Sequence, residues 1–267
     1  MPNVAFSRRQ TERDTLLHRI EAALRADERV VAAWLAGSLG RGNADALSDI
    51  DLWVIVRDEA IEAVAADPRA FVAGIGSPCL NIDEPHDPLP GGVFRFHTHF
   101  PSETGAHNVD WYWQAASRAT WPVGTVLLFQ RVPIPAAPPP ELLAPAELQA
   151  RLEEQLSLFW TTVVIAAKNV GRGRTTAFLR QVGFLAQQLD TQRWLTDHRT
   201  VPTFDDVRPA ELGTPFPTTA ATQLSLLNDY LATMDALEPR LVALGATIPE
   251  EGKRQVLRFL EFVRAGA

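Results

Sequence analysis

Asp49 and Asp51 stand two residues apart at the head of an apolar run, Ile50 to Val56. Ten residues before Asp49 separate it from the pair Gly37-Ser38, which closes another apolar run, Val30 to Ala36. Residues two apart on a strand share a face, so the two carboxylates project together while Ile50 points into the core. Like charges side by side are costly unless a cation lies between them. Carboxylate oxygens are hard ligands suited to Mg²⁺, which takes one or two of them and completes its shell with water and substrate phosphates. Gly37 lets the backbone approach an anion closely. Ser38 adds a hydroxyl at the start of a short helix whose free N–H groups attract phosphate. The stretch therefore reads as strand, phosphate-holding turn and second strand with two carboxylates. The plain alternative is a surface Asp-x-Asp beside an ordinary Gly-Ser turn.

The expanded motif, Gly37-Ser38-Leu39-Gly40-Arg41-Gly42 followed by Ser48-Asp49-Ile50-Asp51-Leu52, resembles the signature of the DNA polymerase β-like nucleotidyltransferase superfamily. It looks most like the aminoglycoside nucleotidyltransferase branch and its minimal relatives. The resemblance implies that a nucleoside monophosphate, AMP from ATP, is moved to a hydroxyl of a small molecule with release of pyrophosphate. An aminoglycoside is the first acceptor considered. It implies Mg²⁺ on Asp49 and Asp51, and the nucleotide on Gly37, Ser38 and Arg41. A third carboxylate on a neighbouring strand, flanked by apolar residues, is also implied, and Asp110 in Ala-His-Asn-Val-Asp-Trp-Tyr-Trp matches it. Asp110 would complete the metal site or take the acceptor's proton; otherwise it is a salt-bridged structural Asp. Two further readings stay open: a protein-modifying nucleotidyltransferase of the toxin–antitoxin kind, and a non-catalytic nucleotide-binding regulator. Antibiotic resistance is the biological role the aminoglycoside branch implies.

The elements that must hold these residues follow from periodicity. Leu16, Leu17, Ile20, Ala23 and Leu24 recur at helical spacing within residues 8–26, so an amphipathic helix precedes the first strand. Residues 59–73 read as helix and Gly74 to Gly92 as one long loop, in which Asp83, Glu84, His86 and Asp87 are either near the site or solvated. Val93 to His99 alternates as a strand; His97 and His99 share its face, as ordinary strand histidines or as part of a zinc site with His86 or His107. Trp111, Tyr112 and Trp113 read as core, with stacking on a base or sugar as the second option. Thr125 to Gln130 gives a final strand. The count is five strands in a mixed sheet covered on one side by helices.

Pro133 to Pro140 reads as a stiff linker. Residues 1–132 form the catalytic domain, 133–144 the linker and 145–267 a bundle of four helices, so the class is α+β. Leu152, Leu156, Phe159, Trp160, Val163 and Ala167 mark the first helix; the others cover about 175–196, 218–244 and 249–263. Lys168, Arg172, Arg174 and Arg180 gather around the turn after the first helix. They are triphosphate contacts or cations complementing a helix C-terminus.

Composition narrows the class. The 267 residues are 46% hydrophobic and 21% charged, ordinary for a globular protein. The absence of a long apolar run or a leader makes a cytoplasmic location the expectation, with no membrane partner. A net charge of −7 argues against a nucleic-acid partner and suits a small or cationic acceptor. The single cysteine, Cys79, excludes an internal disulfide framework and reads as a structural thiol.

Overall fold

The computed structural model describes residues 4–83, 91–202, 206–207 and 216–266. Its contacts divide the chain into two compact units, Met1–Pro138 and Pro139–Ala267.

The first unit is a six-stranded sheet. Its strands are β1 (Val30–Leu35), β2 (Ile50–Val56), β3 (Leu80–Asp83), β4 (Phe94–Phe100), β5 (His107–Ala115) and β6 (Val126–Gln130). They lie in the order β3-β4-β5-β2-β1-β6. β2 and β5 run parallel and the other neighbouring pairs are antiparallel, so the sheet is mixed. All six residues of β1 are buried, as expected of an inner strand covered on both faces.

Among the described residues this unit also holds the α-helices α1 (Val4–Ala26), α2 (Gly37–Gly40), α3 (Ile61–Ala66) and α4 (Pro68–Ala73). Leu16, Ile20 and Leu24 of α1 pack with Val64 of α3 and Val72 of α4. They meet Ile50, Leu52, Val54, Val109, Trp111 and Trp113 of the sheet in one cluster. A smaller cluster, built from Ala32, Trp34 and Ile55 with Ala119 and Ile134, covers part of the opposite face with coil instead of helix.

Three sequence expectations need correction. The helix over 59–73 is broken: a 3-10 turn over Asp58–Ala60 leads into α3, and α4 restarts at Pro68. Asp67 caps α4 by accepting from the Ala70 N–H at 3.0 Å, and proline is well suited to the first helical position. Second, the sheet has six strands, because β3 lies within the stretch read as one long loop. It is a four-residue edge strand following Pro78, too short for alternation to declare itself. Third, β1 ends at Leu35, one residue early. Of the acidic loop residues, Asp83 closes β3, while Glu84, His86 and Asp87 lie outside the described residues.

The second unit holds α5 (Pro145–Gly171), α6 (Thr175–His198), α7 (Ala220–Ala243) and α8 (Glu250–Gly266). α5 packs against the other three. Its stripe Leu152, Leu156, Phe159 and Val163 is fully buried among Phe178, Val182 and Leu185 of α6, Leu227 and Met234 of α7, and Leu260 of α8. Thr219 and Thr222 form a reciprocal cap at the start of α7. Among the described residues no helix is long and apolar enough to cross a membrane.

Candidate active site

β1 runs out of the sheet at Ala36, whose N–H still donates to the Asp51 carbonyl at 2.9 Å. The Gly-Ser turn is thereby tied to the strand that carries the carboxylates. Gly37 follows with φ +58°, and α2 closes through Gly40 N–H to Ala36 O at 2.8 Å and Arg41 N–H to Gly37 O at 3.1 Å. A Cβ built on Gly37 would lie 1.8 Å from Asp51 Oδ2. Glycine is required here twice over, for the left-handed backbone and for the space the carboxylate occupies.

The loop from Arg41 to Asp49 is held by its own side chains and by one from α1. Asp45 Oδ1 accepts from Leu47 N–H at 2.9 Å and from Ser48 Oγ at 3.0 Å. These bonds, the Leu47 N–H first, lower the Asp45 pKa. The Arg13 guanidinium, only 3% exposed, donates to the Asp45 carbonyl and pairs with Asp14. Arg13 belongs to no sequence motif; its burial follows from the loop it binds.

Alternation on β2 and β5 sorts the site from the core. Ile50, Leu52, Val109 and Trp111 face the helices, so Asp51, Trp53, Asp110 and Tyr112 point to the other face. Register then builds two rows. In the first, Asp51 is the Cα partner of Asp110 across the parallel β2–β5 pair, and Asp110 is the partner of His97 on β4. In the second, Arg95 pairs with Tyr112, Tyr112 with Trp53, and Trp53 with Trp34. The three rings stack at centroid distances of 6.2 Å (Trp34–Trp53) and 5.1 Å (Trp53–Tyr112). Trp111 and Trp113 belong to the core, stacked on Phe96. Of the aromatic run, Tyr112 is the member that shares the carboxylate face.

Asp110 accepts from the Asn108 amide at 2.8 Å, and its Oδ1 lies 2.6 Å from His97 Nδ1. The sequence marks His97 as a strand histidine or zinc ligand and gives Asn108 no role; it pairs neither with Asp110. Both follow the two-residue alternation on β4 and β5, but which β4 residue lies opposite Asp110 depends on hairpin register. His99 faces Asn108 instead, and its carbonyl accepts from the exposed Cys79 thiol at 3.2 Å. His107 is buried on the α1 side of the sheet, 3.6 Å from Glu12, with its pKa lowered by burial first.

Asp49 lies one residue before β2 and is exposed, as are Arg41 and, in the second unit, Lys168, Arg172, Arg174 and Arg180. Lys168 ends α5, Arg172 is its C-cap and Arg174 is the N-cap of α6. Among the described residues no three His, Cys, Asp or Glu side chains are grouped so as to hold an ion. Mg²⁺ asks less than that: one or two carboxylates, with water and phosphate completing its shell. The Asp51 carboxylate seated against a turn that only glycine can form fits that demand.

Residues 17–74, which run from the later part of α1 through α4 and include the Gly-Ser turn, Asp49 and Asp51, match the nucleotidyltransferase domain family. The chain is an enzyme of nucleotidyltransferase type. Comparison with curated proteins gave no match. Among solved structures, an aminoglycoside 6-adenyltransferase from Bacillus subtilis aligns with this nucleotidyltransferase at 12% identity and a TM-score of 0.32, covering 96% of this chain and 98% of that one.

Proposed function

We propose that the enzyme transfers AMP from ATP to a hydroxyl of a small molecule, with an aminoglycoside as the first acceptor class to test. The observation that supports this reading is the seating of Asp51 against Gly37 within the domain the family covers, with Asp110 opposite it. Asp49 and Asp51 would hold Mg²⁺, whose charge neutralises the triphosphate and the transferring phosphoryl group. Gly37 and Ser38 offer the turn's backbone and a hydroxyl to the β and γ phosphates, with Arg41 beside them in sequence. The acceptor oxygen attacks the α-phosphorus, the bond from that phosphorus to the bridging oxygen breaks, and pyrophosphate leaves. Asp110 completes the metal set or takes the acceptor's proton.

The test is pyrophosphate release from ATP and Mg²⁺ across a panel of aminoglycosides, with Asp51→Asn as control. Release with one compound class, absent in the variant, supports both chemistry and acceptor. Silence across the panel with nucleotide still bound moves the acceptor to another small molecule or to a protein. Silence without nucleotide binding ends the reading.

A further inference from the structure

Asp110 is held by one oxygen. Among the described residues both hydrogen bonds it accepts arrive at Oδ1, from His97 Nδ1 at 2.6 Å and from Asn108 Nδ2 at 2.8 Å. The two donors come from different directions: Asn108 lies two residues upstream on β5, and His97 lies directly across the antiparallel β4–β5 pair. The His97 and Asp110 side chains are 22% and 19% exposed, so solvent screens the contact only in part. An ionised carboxylate can only accept, so its bond with His97 selects the imidazole tautomer protonated on Nδ1.

The arrangement also answers an electrostatic difficulty. Asp110 has Asp51 as its neighbour on β2 and His97 as its neighbour on β4. Like charges directly opposite on paired strands repel, and an unheld carboxylate rotates to relieve that repulsion. Two donors on Oδ1 resist the rotation. Reacting groups have to be held close to their productive geometry by such surrounding hydrogen bonds.

We infer that His97 is a positioning residue: with Asn108 it fixes Asp110 through Oδ1, so that Oδ2 is the atom presented to the reaction. This rests on the reading of Asp110 as a reacting residue and adds two side chains to which that reading gives no role. It holds whether Asp110 binds the metal or takes the acceptor's proton.

The experiment uses the full chain and two readouts: Mn²⁺ binding in the presence of ATP, followed by electron paramagnetic resonance, and pyrophosphate release. Asp110→Asn first defines which readout depends on Asp110. His97→Ala should then shift that same readout in the same direction by about 10–100-fold, the usual cost of removing such a partner. His97→Asn, whose amide N–H sits near the place of Nδ1, should recover most of the loss, whereas His97→Gln, whose amide lies further out, should not. If His97→Ala does not fold, the comparison of the Asn and Gln variants carries the test alone. His97→Ala and His97→Gln at the wild-type level, or His97→Asn no better than His97→Gln, overturns the inference while leaving Asp110 its role. Asp110→Asn without effect on either readout removes that role and the inference with it.

Discussion

A Cβ on Gly37 would lie 1.8 Å from Oδ2 of Asp51, so the turn and the carboxylate occupy one another's space. The motif's glycine is thus a statement about Asp51 as much as about phosphate. Gly37→Ala must strain a backbone at φ +58°, at about 1–2 kcal/mol, and must also displace Asp51. The variant should unfold at slightly lower denaturant and lose most of its turnover. Turnover at the wild-type level would show that Asp51 has room to spare.

Arg13 anchors the loop that delivers Asp49. It is nearly buried and donates to the Asp45 carbonyl. Arg13→Met keeps the stem's bulk but leaves that carbonyl without its charged donor, a loss of about 1–3 kcal/mol. Limited proteolysis should then cut within residues 41–49 faster than in the wild type, and an unchanged rate would assign the loop's order to the Asp45–Ser48 bonds alone.

Acid should weaken the first unit through α1. Glu12 accepts from Thr104 Oγ1, from Ser102 Oγ at 2.8 Å and from Thr104 N–H at 3.2 Å. These bonds, the Thr104 hydroxyl first, hold its pKa at about 2 against an ordinary 4.5. A folded pKa below the unfolded one means that the unfolded chain binds more protons as pH falls. The contribution is complete above pH 4.5 and is lost between there and about 2. Buried His107, also shifted down, adds a loss of the same sign beginning below its ordinary 6.5. Glu12→Gln should flatten the lower part of the curve, measured as denaturant midpoint against pH.

The bundle stands on its own core. Phe159 is fully buried among α5, α6, α7 and α8 residues. Phe159→Ala should cost about 3–5 kcal/mol, read as a lower denaturation midpoint of the fragment Pro139–Ala267 if it is expressed alone, or of the full chain. A change under about 1 kcal/mol would mean that the surrounding side chains collapse into the space.

The parts of this fold legible in the sequence are those in which one periodic pattern runs long enough to dominate. α1 and α5 show buried residues every three or four positions, and β1 and β2 are near-continuous apolar runs. β3 has four residues and Pro68 interrupts a helical pattern without ending it, so both depend on neighbours that local pattern does not report. Asp49 and Asp51 stand out in the sequence because Gly-Ser and Asp-x-Asp are local patterns. The placement of His97 and Asn108 against Asp110 does not, since it comes from the β4–β5 register. Arg13 escaped for a related reason: its burial depends on a loop 32 residues away.

The most direct test of the account follows the phosphorus. ATP labelled at the α-phosphate and ATP labelled at the γ-phosphate are each turned over with Mg²⁺ and the acceptor that supports pyrophosphate release, alongside Asp49→Asn and Asp51→Asn. The account predicts α-label on the acceptor and γ-label in pyrophosphate, with both variants inactive yet folded. γ-Label on the acceptor, or a wild-type rate in either variant, would contradict it.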